Sequence, residues 1–224
     1  MNPIIQLSHI SYGYESVLTL CDISLTIHQG ECIIFTGPNG CGKSTLFKLL
    51  NGLVFPSKGQ YVFDGQAITQ ASLQDMPFAK RFHKRIGYVF QNPDVQLFNP
   101  TVYDEIAFGP RQMGFTDKQV QSRVRDLLEY VNLTSLADRP PYHLSGGEQK
   151  KVAIAAVLAL NPDVIMMDEP FNGLDRMSRQ WAVSFLKDFS ASGKTILIAT
   201  HEQDVLSHHT GRRIVLTEEH TISL

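Results

Sequence analysis

The sequence predicts an α/β fold with a mostly parallel sheet and an inserted helical lobe. Three observations predict it. Short apolar runs at Cys32 to Thr36, Val164 to Met167 and Thr195 to Ala199 have the length of strands buried on both faces, as in a parallel sheet. Helical patterns at Ser44 to Asn51 and Gln149 to Leu160 are interleaved with them. From about Asn92 to Leu160 the pattern is mostly helical, so residues 92–160 read as a lobe set into one domain spanning residues 1–224.

Each element has its own signal. Ile4 to Ile10 and Ser24 to Ile27 alternate apolar and polar positions, the period of a strand. Gln29, Gly30 and Glu31 mark a turn, and the β-leaning run Cys32 to Thr36 follows. Leu46, Leu49 and Leu50 fall on one side of a helix over Ser44 to Asn51, which Gly52 is placed to end. Tyr61 to Asp64, stopped by Gly65, and Arg85 to Phe90 read as further strands. Val120, Val124, Leu127, Leu128 and Val131 share one face of a helix over Asp117 to Val131. Gln149 to Leu160 reads as a more deeply buried helix, and turns at Asn161-Pro162 and Ser192-Gly193 introduce the last two strands.

Composition narrows the class. With 43% hydrophobic and 19% charged residues, the 224-residue chain is globular and long enough to bury a core without staples. A net charge of −2 gives no global field for holding nucleic acid, which argues against such a partner. The longest apolar run, Val152 to Leu160, is far short of the roughly 20 residues of a membrane span. Met1 to Leu7 has no basic or long apolar stretch, so no signal peptide is expected. Three cysteines without a CxxC or CxC spacing point to a reduced protein without a structural zinc site.

Gly37-Pro38-Asn39-Gly40-Cys41-Gly42-Lys43-Ser44, followed by Thr45, matches G-x-x-x-x-G-K-[ST] at every specified position. Glycines let several backbone N–H groups approach one anion, and the following helix turns its positive end toward it. Lys43 adds a charge for the β- and γ-phosphates, and Ser44 offers a hydroxyl to Mg²⁺. A strand precedes this loop and a helix follows, the setting that the chemistry requires. Val164 to Met167 ends in Asp168 and Glu169. Asp168 suits Mg²⁺, and Glu169 suits the attacking water. His201 follows the apolar run Thr195 to Thr200, at the strand end where ligands gather in open α/β sheets.

Leu144-Ser145-Gly146-Gly147-Glu148 stands about a hundred residues after the phosphate loop and some twenty before Asp168. Its two glycines precede the buried helix and offer a second anion-binding helix start, without a lysine. With this segment the whole chain resembles the ATP-binding subunit of ABC transporters. The resemblance implies a P-loop ATPase core with a mostly parallel sheet, an N-terminal antiparallel β subdomain and an inserted helical lobe. It implies ATP and Mg²⁺ as ligands and an ATPase dimer, homomeric or heteromeric. In that dimer Ser145, Gly146, Gly147 and Glu148 close on the γ-phosphate held by the partner's phosphate loop. It also implies roles for Gln91 near Mg²⁺ and the attacking water, for His201 at the γ-phosphate, for Asp175 at the dimer interface and for Tyr14 on adenine, with Tyr12 competing for the last.

Val89 to Phe98, Pro100-Thr101-Val102, Ala107 to Pro110 and Arg139 to His143 are similar to the energy-coupling factor (ECF) class, whose members import cobalt, nickel, biotin and other vitamins. That implies a peripheral subunit on the cytoplasmic face of the cell membrane. Its partners there would be an integral scaffold protein, bound through a groove next to Gln91, and a membrane substrate-binding subunit. Val95, Leu97, Phe98 and Val102 fit either a short helix packed at that groove or the lobe core. A conventional ABC importer or exporter shares every catalytic part and differs in its membrane partners; a soluble ABC ATPase is the remaining alternative, disfavoured by the lack of net positive charge. Many ECF relatives carry a C-terminal extension, whereas this sequence runs about twenty residues past His201, so a dimer held through nucleotide is expected. Lys80, Arg81, Lys84 and Arg85 read as a solvated face, with anionic headgroups as the alternative. His208, His209 and His220 are not read as a metal site, because adjacent helical histidines diverge.

Overall fold

The computed structural model describes residues 3–15, 17–201 and 211–223. His208 and His209 lie outside them. Two sheets share the core. Strands β1 (Pro3–Tyr14), β2 (Val17–His28), β4 (Lys58–Phe63) and β5 (Gln66–Ala67) form an antiparallel sheet in the order β2-β1-β4-β5. The second sheet has the order β10-β9-β3-β8-β7-β6. In it β3 (Cys32–Thr36), β6 (Ile86–Val89), β7 (Val164–Asp168), β8 (Thr195–Ala199) and β9 (Arg212–Leu216) are parallel, and β10 (Ile222–Ser223) is an antiparallel edge. Every residue of β7 and β8 is buried, as their unbroken apolar sequences require.

Strands β1 and β2 are each twelve residues long, longer than the alternation of Ile4 to Ile10 and Ser24 to Ile27 predicts. Register shifts between them bracket His9 and Asp22, both at positive φ (52° and 51°). Such bulges reset which face each side chain takes, so the period of two breaks while pairing continues.

The helices are α1 (Lys43–Leu50), α2 (Gln70–Gln74), α3 (Met76–Arg85), α4 (Val102–Gln112), α5 (Asp117–Tyr130), α6 (Gly146–Leu158) and α7 (Arg176–Ala191). Helices α4 to α6 lie between β6 and β7 in sequence and bury their own cluster, including Val102, Ile106, Val124, Leu128 and Val152. Helix α6 begins at Gly146, not at Gln149: Ser145 is its cap, and both glycines are already helical. The Ser145 and Glu148 side chains each bond the other's backbone N–H, a reciprocal cap that offsets the poor helix propensity of two glycines.

The basic run on α3 does not present four free charges. Arg85 bonds Asp163 and Asp64 at 2.6 Å each, Lys80 Nζ donates to the Gln112 carbonyl, Lys84 lies over the Phe115 ring and Arg81 over Phe78. Among the described residues no helix is long and apolar enough to cross a membrane, and no three His, Cys, Asp or Glu side chains group as a metal site.

Candidate functional site

The carboxyl ends of β3, β7 and β8 open on one cleft of about 410 Å³. Asn39, Gly40, Gly42, Lys43, Ser44, Thr45, Gln91, Asp168, Glu169, Asn172 and His201 line it. The topology accounts for this convergence, because parallel strands deliver all their carboxyl ends to one edge. The phosphate loop joins β3 to α1. Two of its glycines are forced by backbone contact. A Cβ on Gly37 (φ 142°) would lie 2.2 Å from the Leu216 carbonyl oxygen, and one on Gly42 (φ 109°) 2.3 Å from that of Thr19. Lys43 is buried, and its ammonium donates to the Gly37 and Pro38 carbonyls at 2.8 and 2.9 Å. It therefore stands inside the loop that lines the cleft. Cys41 is buried, while Pro38, Asn39 and Gly40 are exposed.

Asp168 ends β7 beside Ser44. Burial raises its carboxyl above the ordinary range; the Ser44 hydroxyl opposes this by donating to it, and Glu169 adds to it. Tyr88 Oη donates to the same carboxylate at 3.4 Å. A hydroxyl, a carboxylate and the amide of Gln91 on one cleft are hard oxygen donors, which fits a small divalent cation such as Mg²⁺. A cation there would also offset the burial that disfavours the Asp168 charge.

Glu169 takes the left-handed conformation (φ 44°), which strains a non-glycine residue by roughly 1–3 kcal/mol. Its backbone N–H donates to Ala199 O at 2.8 Å, which ties it to β8. Its buried carboxylate accepts from Thr200 Oγ1 at 3.1 Å and lies 2.7 Å from His201 Nδ1. A carboxylate can only accept, so that nitrogen carries the proton. Thus Glu169 and His201, 32 positions apart in sequence, act as one hydrogen-bonded pair.

The signature segment lies away from this cleft. None of Ser145, Gly146, Gly147 or Glu148 lines it. The two glycines differ. A Cβ on Gly146 would meet nothing within 4 Å, whereas one on Gly147 would lie 2.2 Å from Ser178 Oγ. Ser178 is in the first turn of α7, and its N–H donates to the capping carboxylate of Asp175 at 2.7 Å. Gly147 is therefore a packing glycine between two helix starts, and Gly146 is the open one. Replacing Gly147 by Ala should lower ATP hydrolysis about tenfold by parting α6 from α7, and adding Ser178→Gly should restore it. Steady-state hydrolysis by the single and double variants checks this; a G147A loss that S178G leaves untouched would refute the packing role.

Tyr14 ends β1 and is 42% exposed, with its ring edge-on to Tyr12 at 5.1 Å. Tyr12 packs against the core, which leaves Tyr14 as the freer ring.

Residues 20–172 match the family model described as ABC transporter. The chain belongs to the ABC transporter family. This ABC ATPase is 46% identical over 219 residues to the nickel import ATP-binding protein LarO of Lactiplantibacillus plantarum, a match that covers 98% of this chain and 91% of that one. It is 38% identical to the energy-coupling factor transporter ATP-binding protein EcfA of Methanothermobacter thermautotrophicus, covering 98% and 70% of the two. Among solved structures it resembles the dimeric cassette MJ0796 in a post-hydrolysis state bound to ADP and phosphate. There the TM-score is 0.86 and the identity 27%, over 98% of this chain and 97% of that one. The chain is thus an ATP-binding and ATP-hydrolysing subunit of a transporter, of a kind that works as a dimer together with membrane components.

Some residues of the ABC cleft carry no signal in the sequence. Thr200 and Tyr88, which hold Glu169 and Asp168, and the lining Asn172 become visible only once the strands are paired. Lys150 is another. It is 2% exposed, and burial pushes its amine down to about 8 against the pull of Asp168 and Glu169.

Proposed function

We propose that this ABC ATPase energises import of a micronutrient, a transition metal ion or a vitamin, through an ECF-type transporter. The observation that carries the reading is the segment from Val89 to Pro110. It resembles the ECF class in sequence, and it borders a groove of about 250 Å³ beside the Gln91 loop. Phe90, Phe98, Phe108, Val157 and Leu160 line that groove. Phe98 is 68% exposed and edge-on to Phe108 at 5.0 Å, an apolar pair that fits a docking membrane scaffold. The names of LarO and EcfA agree with this class. In this reading the chain sits on the cytoplasmic face of the cell membrane. A small membrane partner then recognises the solute.

In the mechanism we propose, Lys43 and the loop amides at the start of α1 hold the β- and γ-phosphates of ATP, and Tyr14 stacks on adenine. Ser44, Asp168 and Gln91 hold Mg²⁺, which when bound neutralises charge on the phosphates. Glu169 accepts the proton of the attacking water. His201 keeps that carboxylate oriented through Nδ1–H and presents its other nitrogen to the γ-phosphate. Ser145, Gly146 and Gly147 complete the partner's phosphate pocket across the dimer, Glu148 holds the Ser145 cap, and Asp175 caps α7 at the same interface.

The test is to purify the protein from detergent-solubilised membranes of its native host and identify what accompanies it. An integral scaffold with a small membrane substrate-binding subunit is the expected result. Two permease chains with an extracytoplasmic binding protein would place it in a conventional ABC importer instead.

A further inference from the structure

The signature helix and the Gln91 loop are fastened together inside one chain. Lys150 lies in the second turn of α6, five residues after the capping Ser145. Its ammonium is buried and donates to two consecutive carbonyls, Phe90 O and Gln91 O, both at 2.9 Å. A second tie runs beside it. Gln96 Oε1 accepts from the Phe90 N–H at 3.0 Å, and Gln96 Nε2 donates to Ala153 O, one turn further along α6, at 3.5 Å. Gln91 itself is exposed at the cleft, just past the end of β6. A buried lysine is a costly way to fill core space, and a methionine would fill it without desolvating a charge. What the lysine adds is two charge-assisted hydrogen bonds to the backbone that carries Gln91.

We infer that Lys150 is a positioning residue: it sets the Gln91 side chain at the magnesium side of the cleft, and it links that position to the signature end of the same helix. This rests on the assignment of Gln91 to Mg²⁺ proposed above. The link has a consequence for the dimer. The start of α6 serves the partner's nucleotide while its Lys150 holds a loop of its own site, so one helix touches both.

The experiment is fluorescent mant-ATP binding to the full-length chain, titrated with Mg²⁺ and repeated in EDTA. Wild type, K150M, K150Q, Q91A and K150M/Q91A are compared. In EDTA wild type, K150M and K150Q should bind within about twofold of one another, since the phosphate loop is untouched; Q91A and the double variant are each compared with their own EDTA value. With Mg²⁺, half-saturation should move about tenfold higher in K150M, the scale of losing hydrogen bonds of this kind. Q91A should move it as far, and the double variant little further, because the two act through one group. A wild-type Mg²⁺ requirement in K150M alongside a raised one in Q91A overturns the inference and leaves the Gln91 assignment standing. Fully additive shifts in the double variant also overturn it. An unchanged requirement in Q91A overturns both. Where K150M fails to fold, K150Q, too short to reach both carbonyls, is read by the same criteria.

Discussion

Replacing Glu169 by Gln should lower ATP hydrolysis by about 10²-fold or more while ATP affinity stays near that of the wild type. The geometry makes this substitution unusually clean. One carboxylate oxygen accepts from Thr200 Oγ1 and the other from His201 Nδ1. In glutamine the amide oxygen can keep the His201 bond, and the amide nitrogen then faces the Thr200 hydroxyl, which can turn to accept from it. The backbone at φ 44° is tied by N–H to Ala199, and a glutamine leaves that tie alone. The variant loses little beyond the ability to take a proton. Lys43 and the phosphate loop, to which the proposed mechanism gives the phosphates, lie on other elements, so binding should be separate from the loss. Single-turnover hydrolysis and nucleotide binding measured on the same preparation check both halves. Hydrolysis at the wild-type rate would remove Glu169 from the role of base. A parallel loss of binding would show that the carboxylate organises the cleft instead of acting in the reaction.

Much of the site was legible because its chemistry is contiguous. The phosphate loop needs glycines, a lysine and a hydroxyl in one turn, and the acidic pair needs one strand end, so linear spacing determines them. The ties that hold those residues are not contiguous. Lys150 reads as one more polar residue on a buried helix until α6 packs against the loop after β6. Tyr88 reads as strand filler until β6 and β7 pair in parallel and bring its hydroxyl to Asp168. The fold shows the same division. Strands β3, β7 and β8 are buried on both faces and announce themselves as apolar runs. The full length of β1 and β2 is hidden by bulges at His9 and Asp22. Helix α4 carries Gly109 and Pro110 in its last turns, breakers that mask a helix whose opening is capped by Thr101. The apolar set near Gln91 divides in two: Val102 is lobe core, whereas Val95 and Phe98 are mostly exposed. Sequence alone cannot tell an apolar residue that faces the core from one kept for a partner, because both obey the same composition.

Replacing Gly37 by Ala should cost far more than replacing Gly40, although both are loop glycines at positive φ. Around Gly40 a new methyl meets nothing within 4 Å, so G40A carries only the strain of a left-handed alanine, roughly 1–2 kcal/mol. Around Gly37 the methyl would lie 2.2 Å from Leu216 O and 2.9 Å from Cys41 Sγ. The first of these is backbone at the end of β9, the parallel neighbour of β3, and no rotamer change can move it. Either β9 or the start of the phosphate loop has to shift. The Gly37 carbonyl is one of the two that Lys43 Nζ grips, so the shift would carry the lysine and the loop amides with it. A displacement of about 1 Å at such a site is worth on the order of 10²-fold. We therefore expect G37A to lose about 100-fold or more in ATP affinity and to melt at a lower temperature, with G40A within about tenfold of wild type. Binding titrations and thermal melts of the two variants decide it. Equal losses in both would mean that φ strain alone requires glycine in this loop. A wild-type affinity in G37A would mean that β9 yields and the loop is not braced against it.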